Sequence, residues 1–170
     1  MIFDEQEVRK AVAILKPNNE LFEIRIIENS RTNYSGYFVN ADNLINALKK
    51  LRSAGNVYIT LNNINDACYD RVQKDKFVKN PKATTSDNDV NNYEWLMIDL
   101  DPKRPTDTSS TDEQIEKAKK MGNKIYGFLN QLGFEKPITA YSGNGVHLLY
   151  GIDMDTSTDN VNLLKMALQL

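Results

Sequence analysis

The stretch from residue 93 to residue 102, Tyr-Glu-Trp-Leu-Met-Ile-Asp-Leu-Asp-Pro, constrains the fold of this chain more than any other. Side chains alternate between the two faces of a strand, so one face carries Trp95, Met97, Asp99 and Asp101 and the other carries Leu96, Ile98 and Leu100. Both faces begin apolar, as in a strand that is covered on both sides. Pro102 has no N–H to donate and ends the ladder. The stretch therefore predicts a buried strand that ends in two acids.

Asp99 and Asp101 are expected to point to the same side of that strand, with origins about 6.5 Å apart. Paired carboxylates can hold two hard cations roughly 3.5–4 Å apart, as in two-metal phosphoryl transfer. The alternative is a strand end that runs into a turn, where Asp and Pro are common for conformational reasons. On these residues alone both interpretations stay open.

Composition narrows the class of protein. The chain has 170 residues, of which 41% are apolar and 26% charged, values typical of one globular domain or two small units that share an interface. No apolar run approaches the ~20 residues needed to span a bilayer, and the first residues are not a signal peptide. We therefore expect a cytoplasmic protein without membrane contact. The net charge of −2 argues against a protein that coats nucleic acid through general basicity.

The chain has one cysteine, Cys68, and one histidine, His147. A single cysteine excludes internal disulfides and cysteine-rich zinc sites. We expect Cys68 to be a buried or idle thiol. Any histidine chemistry must use His147.

Residues 1–92 are predicted to form an αββαβ unit. The predicted elements are a helix over 4–15 with Asp4 as N-cap, a hairpin of strands over 21–28 and 34–39, a helix over 42–54 followed by Gly55 as C-cap glycine, and a strand over 57–61. Along the first strand, Phe22, Ile24 and Ile26 alternate with Glu23, Arg25 and Ile27.

Residues 62–92 are mostly polar and are predicted to be a long functional connection with a helical turn around 66–73. This segment concentrates four lysines, Lys74, Lys76, Lys79 and Lys82. One interpretation is a basic strip beside a nucleic-acid or nucleotide site. The other is a solvated lysine-bearing loop, favoured by the acids interspersed among the lysines.

Residues 93–170 are predicted to form a βαββα unit. After the acid-bearing strand, the predicted elements are a helix from the Thr111–Gln114 capping box to Leu132, with Gly133 ending it, strands over 137–141 and 146–150, and a last helix from about residue 158. Ile115, Ala118, Gly122, Ile125, Leu129 and Leu132 form the predicted inward stripe of the first helix.

The turn Ser142-Gly143-Asn144-Gly145 joins the last two strands. Its glycines permit positive φ and close approach of a ligand, and its N–H groups and the Ser142 hydroxyl can hold a phosphate. His147, two residues further, can donate to a phosphate oxygen. The alternatives are an ordinary type I′ hairpin, which Asn-Gly favours, and a histidine that packs in the core.

The two motifs together resemble those of the archaeo-eukaryotic primase superfamily, in particular the primase-polymerase domains of phages, plasmids and other mobile elements. Asp99-Leu100-Asp101 is similar to the family's metal-binding acid pair. The segment 142–147, Ser-Gly-Asn-Gly-Val-His, is similar to its nucleotide-binding motif. The spacing of the motifs and their places on strand, helix and turn match the family, and the resemblance extends from Phe22 onward.

The resemblance implies an N-terminal αβ unit beside an RRM-like unit, with the active site in the cleft between them. It implies template-directed attack of a 3′-oxygen on the α-phosphate of a nucleoside triphosphate, with primer synthesis as the special ability. Asp99 and Asp101 would bind Mg²⁺ or Mn²⁺, and Ser142, Gly143, Asn144, Gly145 and His147 would hold the triphosphate. The implied partners are nucleoside triphosphates, a single-stranded DNA template and a downstream helicase domain or protein. Lys103 and Arg104 would contact phosphate or template, or would be exposed turn residues.

The match breaks at the third family motif, another acid on a later strand, because the chain ends before it. Asp153, Asp155 and Asp159 follow the hairpin, and we interpret them as turn and N-cap residues. The RRM-like unit would lack its final strand. Two explanations are open: a fragment of a larger primase-polymerase, inactive by itself, or a short product that has lost or shares catalysis.

Three rival functions remain. A metal-dependent nuclease would use the acid pair but would not need the glycine turn and His147 for a triphosphate. A non-catalytic RNA-binding module would use exposed aromatic residues such as Tyr141 and Tyr150, on a sheet face where two acids repel nucleic acid. An interaction module derived from a primase is the third.

Overall fold

The computed structural model describes residues 3–53, 55–105 and 108–167. The chain divides into two compact units, Met1–Asn92 and Tyr93–Leu170. The described residues contain four α-helices and two antiparallel sheets, which confirms the predicted α+β class. The RRM-like arrangement of the second unit stays a prediction. Within the described ranges, no helix is both long and apolar enough to cross a membrane.

The first unit begins with the predicted αββαβ order. Its elements are α1 (Glu5–Leu15), β1 (Phe22–Asn29), β2 (Thr32–Phe38), α2 (Ala41–Lys50) and β3 (Asn56–Ile59), followed by β4 (Asn63–Ile64) and β5 (Val78–Lys79). The sheet order is β3–β1–β2–β5. The Asp4 carboxylate accepts hydrogen bonds from the N–H groups of Gln6 at 2.8 Å and Glu7 at 3.3 Å, so the predicted N-cap is confirmed.

The alternation along β1 decides which face of this sheet is covered by the helices. Phe22, Ile24 and Ile26 are buried in one core with Val12 of α1 and Leu48 of α2. The side chains of Glu23, Arg25 and Ile27 therefore point to the opposite face of the sheet. There, Tyr37, Leu21, Ile64 and Cys68 form a second, smaller core. Cys68 is buried as expected, and the burial raises the pKa of its thiol.

The second helix is shorter than predicted. It ends at Lys50, where the next residue, Leu51, takes up an extended conformation; the predicted end at Ala54 lies outside the described residues. The C-cap role of Gly55 was wrong. A Cβ at Gly55 would lie 2.5 Å from the carbonyl oxygen of Ile27, so the glycine permits the start of β3 to lie against β1.

The connection from residue 62 to residue 92 is folded against the first unit. The predicted helical turn is a 3₁₀ turn, Asp66–Asp70, and a second one covers Asp87–Asp89. Arg71 clamps the two together through a bidentate ion pair with Asp89, with one contact at 2.8 Å. The arginine hydrogen bonds hold the pKa of Asp89 well below its usual range. The four lysines of this segment are exposed, and Lys74 pairs with Asp70 at 3.1 Å.

The second unit follows the predicted βαββα order. Its elements are β6 (Val90–Leu100), which begins in the first unit, α3 (Asp112–Gln131), β7 (Ile138–Tyr141), β8 (Val146–Asp155) and α4 (Thr158–Ala167). In the sheet, β8 lies between β6 and β7. The residues at the start of β6 pair with β4, with Val90 opposite Ile64. The capping box of Thr111 and Gln114 is present, and Gly133 follows α3 with a φ of 93°, as predicted.

The core of the second unit lies between α3 and one face of this sheet. Leu96, Ile98 and Leu100 of β6 pack against Ala118 of α3 and Val146, Leu148 and Tyr150 of β8. The prediction of a strand covered on both faces was wrong, because Met97 on the other face is 40% exposed. Leu132 was wrongly placed in the inward stripe of α3: it follows the last helical residue and is exposed.

The turn interpretation was wrong for Asp153, but it holds for the side chain of Asp155. Both residues lie on β8, which continues to Asp155. The Asp155 carboxylate accepts hydrogen bonds from the N–H of Ser157 and the side chain of Asn160, each at 2.8 Å. These hydrogen bonds lower the pKa of Asp155 and fix the turn into α4. Asp155 thus stabilises that turn although it is the last residue of a strand.

Candidate functional site

The acid pair lies at the end of β6 on the face away from the core. Leu100 packs inward between the two acids in sequence, so Asp99 and Asp101 both point outward. Their side chains are 49% and 47% exposed. Anchoring by the buried alternate residues thus places two exposed carboxylates on one face of the strand, as the sequence predicted.

His147 lies beside the first of these acids. Its Nε2 atom is 3.3 Å from Oδ1 of Asp99, and the imidazole is 28% exposed. The two residues form an ion pair when the imidazole is protonated. The interpretation of His147 as a core histidine is wrong, because the ring contacts a carboxylate at the accessible face of the sheet.

Gly145 brings β8 against the second acid. A Cβ at this position would lie 2.2 Å from Oδ1 of Asp101 and 2.7 Å from the carbonyl oxygen of Leu100. No side chain fits there without displacing β6. Gly145 is therefore a close-approach glycine, and its neighbour in space is the acid motif.

The four-residue turn between β7 and β8 is organised by Ser142. Its Oγ accepts hydrogen bonds from the N–H groups of Gly145 at 2.9 Å and Asn144 at 3.3 Å. Two of the N–H donors expected to face a phosphate are thus used inside the turn. The Ser142 oxygen accepts both of these bonds, which leaves its own proton to donate to a ligand.

The backbone of this turn is not that of the type I′ hairpin considered from the sequence. A two-residue type I′ turn needs positive φ at both central residues. Here the positive φ, 90°, lies at Gly143, and Tyr141 pairs directly with Val146. Gly145 therefore serves the close approach to Asp101 and does not supply a positive φ to the turn.

Asn144 ties the turn to the start of α3. Its side-chain Oδ1 accepts a hydrogen bond from the N–H of Ser110 at 3.0 Å, and its carbonyl oxygen accepts one from the Ser110 hydroxyl at 2.6 Å. Ser110 directly precedes Thr111, the N-cap of α3. Asn144 is therefore a positioning residue for the turn. The sequence offered no signal for this pair, because Ser110 and Asn144 are far apart in the chain.

Arg104 contacts the second acid from the loop after β6. Its guanidinium lies 3.3 Å from Oδ2 of Asp101 and donates to the carbonyl oxygen of Thr108 at 3.1 Å. The side chain is only 22% exposed. The exposed-turn alternative is thus wrong for Arg104, although it holds for Lys103. The Arg104 guanidinium and the His147 imidazole flank the acid pair.

The donor set is compatible with a hard divalent cation. Mg²⁺ is commonly bound through one or two carboxylates together with waters and substrate phosphates, and Asp99 and Asp101 offer two accessible carboxylates. Within residues 3–53, 55–105 and 108–167, no group of three or more His, Cys, Asp or Glu side chains is placed to hold a metal ion. A cation at this site would therefore need oxygens from a ligand as well as from the protein.

Comparisons with protein-family models, with curated proteins and with solved structures gave no match to this chain. The candidate site therefore rests on its own geometry: Asp99 beside His147, and Asp101 beside Gly145 and Arg104.

Proposed function

We propose that residues 93–170 carry a metal-dependent nucleotidyl-transfer site of the primase-polymerase type, which takes nucleoside triphosphates and a single-stranded DNA template. The observation that carries the proposal is the meeting of two motifs that are distant in sequence. Gly145 lies against Asp101 and His147 lies against Asp99. Because the two motifs lie within reach of each other, one metal-bound nucleotide could contact both the acid pair and the turn.

The protein would supply the ligands for the cation and the donors for the phosphates. Asp99 and Asp101 would hold Mg²⁺ or Mn²⁺, which supplies a Lewis acid that neutralises charge on the reacting phosphate. Ser142, with its oxygen already accepting two N–H groups, would donate its proton to a phosphate oxygen. Arg104 and a protonated His147 would place positive charge next to the phosphates.

In the proposed reaction, the 3′-oxygen of the growing strand bonds to the α-phosphorus of the bound nucleotide. The bond from that phosphorus to the bridging oxygen of the β-phosphate breaks, pyrophosphate leaves, and the hydroxyl proton passes to water. The role of the chain is to align the triphosphate and to balance its charge, because phosphoryl transfer depends mostly on positioning and electrostatic stabilisation.

The test is the binding of a labelled nucleoside triphosphate in the presence of Mn²⁺, which does not require turnover. The variants are Asp99→Ala with Asp101→Ala, and His147→Ala. Glu135→Ala, which removes an exposed carboxylate elsewhere in the second unit, is the matched control. We expect Mn²⁺-dependent binding in the parent chain and the control, and its loss in the double variant. Mn²⁺-dependent binding that is indifferent to the acids would refute the proposal.

A non-catalytic nucleotide-binding or interaction module derived from a primase is the second candidate. Two observations favour it: within the chain, Asp101 already pairs with the Arg104 guanidinium and Asp99 contacts the His147 imidazole, and Ser142 uses two of the turn's N–H donors internally. This candidate predicts triphosphate binding that is equal with Mn²⁺ and with a chelator. Primer synthesis assayed on a DNA template then separates the two functions.

A further inference from the structure

A second cavity lies in the first unit, on the sheet face that α1 and α2 leave uncovered. Its volume is about 400 Å³, and it is bounded by the outward face of β1, by β3 and the residues after it, and by residues 85–90. Glu23 and Arg25, the two polar residues of β1 that point away from the helices, form part of its wall. All of its lining residues belong to the unit Met1–Asn92. The cavity thus shares no residue with the Asp99 site.

A fixed charge network forms one side of this cavity. Glu23 is fully buried, and its carboxylate accepts hydrogen bonds from the Ser35 hydroxyl at 2.5 Å, from the Thr85 N–H at 3.0 Å and from Arg25 at 3.0 Å. A buried carboxylate is costly unless it is paired and hydrogen-bonded, and here both conditions are met. The network leaves Glu23 no freedom and holds the Arg25 guanidinium in place.

Arg25 nevertheless has one buried donor without an acceptor. The same guanidinium nitrogen donates to Glu23 and to the carbonyl oxygen of Thr85. The Nε atom is buried, and no residue in the described part of the chain accepts its hydrogen. Solvent does not reach this atom, so a ligand in the cavity would accept a hydrogen bond from the open part of the guanidinium, since Arg25 lines the cavity and its side chain is 37% exposed.

Tyr58 provides a flat apolar surface next to this donor. It lies directly opposite Arg25 in the pairing of β3 with β1, so both side chains are on the same face of the sheet and adjacent. Tyr58 lines the cavity and is 51% exposed. Ile64 and Val90 add apolar walls. A planar ring stacked on Tyr58 would bring its edge to Arg25.

The charges of the cavity select against an anion. The charge of Arg25 is matched by Glu23, and Asp87 adds a further carboxylate to the lining. A phosphate would therefore meet net negative charge, whereas a neutral heterocycle with a carbonyl or ring-nitrogen acceptor would not. Stacking on an aromatic side chain with hydrogen bonds to a base edge is how proteins hold unpaired bases.

We propose that this cavity binds a nucleobase, stacked on Tyr58 and accepting a hydrogen bond from Arg25. The base belongs either to a free nucleoside or to an unpaired single strand. The inference goes beyond the proposed function, since it assigns a second site that uses neither the metal nor the triphosphate groups.

The experiment is isothermal titration calorimetry of the full chain with nucleosides and with short single-stranded DNA oligomers, in the presence of a chelator. Nucleosides have no phosphate, and the chelator removes divalent cations, so nucleoside binding does not report on the Asp99 site; for the oligomers, dependence on Tyr58 makes that distinction. The variants are Tyr58→Leu, which removes the ring, and Arg25→Lys, which keeps the charge beside Glu23 but removes the planar guanidinium and its donors. Tyr58→Phe, which keeps the ring, is the matched control.

We expect Tyr58→Leu to weaken binding about 5- to 100-fold, the range for losing one base–aromatic stack, and Arg25→Lys to weaken it by roughly tenfold, as for a lost hydrogen bond to a charged group. Tyr58→Phe should bind like the parent chain. Because Tyr58 is exposed, its variants should melt with the parent chain, and they remain decisive if Arg25→Lys loses stability.

Binding of nucleosides and oligomers alike would identify the base itself as the ligand, and binding of oligomers alone, with the same dependence on Tyr58, would identify an unpaired strand as its source. Two results would overturn the proposal. One is no binding of either probe, or binding that Tyr58→Leu leaves unchanged. The other is binding of ribose 5-phosphate in place of nucleosides, weakened by Arg25→Lys, which would make the cavity an anion site.

Discussion

The substitution Gly145→Ala tests how the acid motif and the phosphate turn are joined. The added Cβ would lie 2.2 Å from a carboxylate oxygen of Asp101 and 2.7 Å from the carbonyl oxygen of Leu100. The first contact can be relieved by rotation of the Asp101 side chain. The second involves backbone on both sides, so β6 and β8 must move apart by several tenths of an ångström before the contact approaches the ~3.5 Å usual for non-bonded carbon.

The expected loss of folding stability in Gly145→Ala can be estimated from the overpacking that the added methyl group causes. Overpacking a well-fitted contact usually destabilises a protein by about 1–3 kcal/mol. Each kcal/mol lowers Tm by about 2–4 °C in a chain of this size, so Gly145→Ala should melt roughly 2–12 °C below the parent. It should still fold, because total stabilities are typically about 5–15 kcal/mol.

The substitution should also weaken the site, because the added methyl group displaces Asp101. Positioning neighbours of metal ligands are typically worth about 10- to 100-fold in metal affinity, so we expect a loss of that order in Mn²⁺-dependent triphosphate binding. Melting is followed by circular dichroism and binding by titration with labelled nucleotide.

Gly151→Ala is the matched control, because Gly151 lies on the same strand and a Cβ there would meet no atom within 4 Å. It should neither melt lower nor bind less. The reasoning would be refuted if Gly145→Ala were as stable as Gly151→Ala, since the close approach of β8 to β6 would then not exist. A destabilised variant with unchanged binding would instead refute the link between Gly145 and the acid site.

Two further predictions concern stability away from the site. Asp89→Asn should lower the denaturant midpoint at pH 7, because the pairing with Arg71 holds the pKa of Asp89 below its unfolded value of about 3.9. A depressed carboxyl pKa stabilises the fold above that unfolded value. The difference in midpoint between the variant and the parent should therefore shrink as the pH falls below about 3.9 and towards the folded pKa. A pH-independent difference in chemical unfolding curves would contradict this. Gly127→Ala should raise stability by about 0.8–1 kcal/mol, because Gly127 lies in α3 with open space around it and alanine is the better helix former; an unchanged or lower denaturant midpoint would show that this position is constrained.

The sequence by itself determined the elements that depend on near neighbours. Asp4 caps α1, Thr111 and Gln114 form the capping box of α3, and Gly133 follows that helix with positive φ. In each case the interacting groups are a few residues apart. The alternation of Phe22, Ile24 and Ile26 likewise fixed which face of β1 is buried, because side chains in a strand alternate by geometry.

The tertiary structure decided where elements stop and which residues meet. Pairing of β3 with β1 placed Gly55 against the Ile27 backbone, and α2 ends at Lys50. The extension of β8 to Asp155 and the exposure of Met97 depend on what lies beside each strand. Local periodicity contains no information about those neighbours.

In the candidate site, too, some features depend on near neighbours in the sequence and others on the tertiary structure. That Asp99 and Asp101 share a face is a property of one strand, so the sequence was sufficient. Gly145 and Arg104 both lie against Asp101, and His147 lies next to Asp99. These contacts depend on the register between distant strands and on the fold of a loop. The cavity beside Arg25 and Tyr58 is likewise a product of long-range pairing, that of β3 with β1. A sequence determines the groups available to such sites, and the long-range pairing of backbone determines which of them come within reach of one ligand.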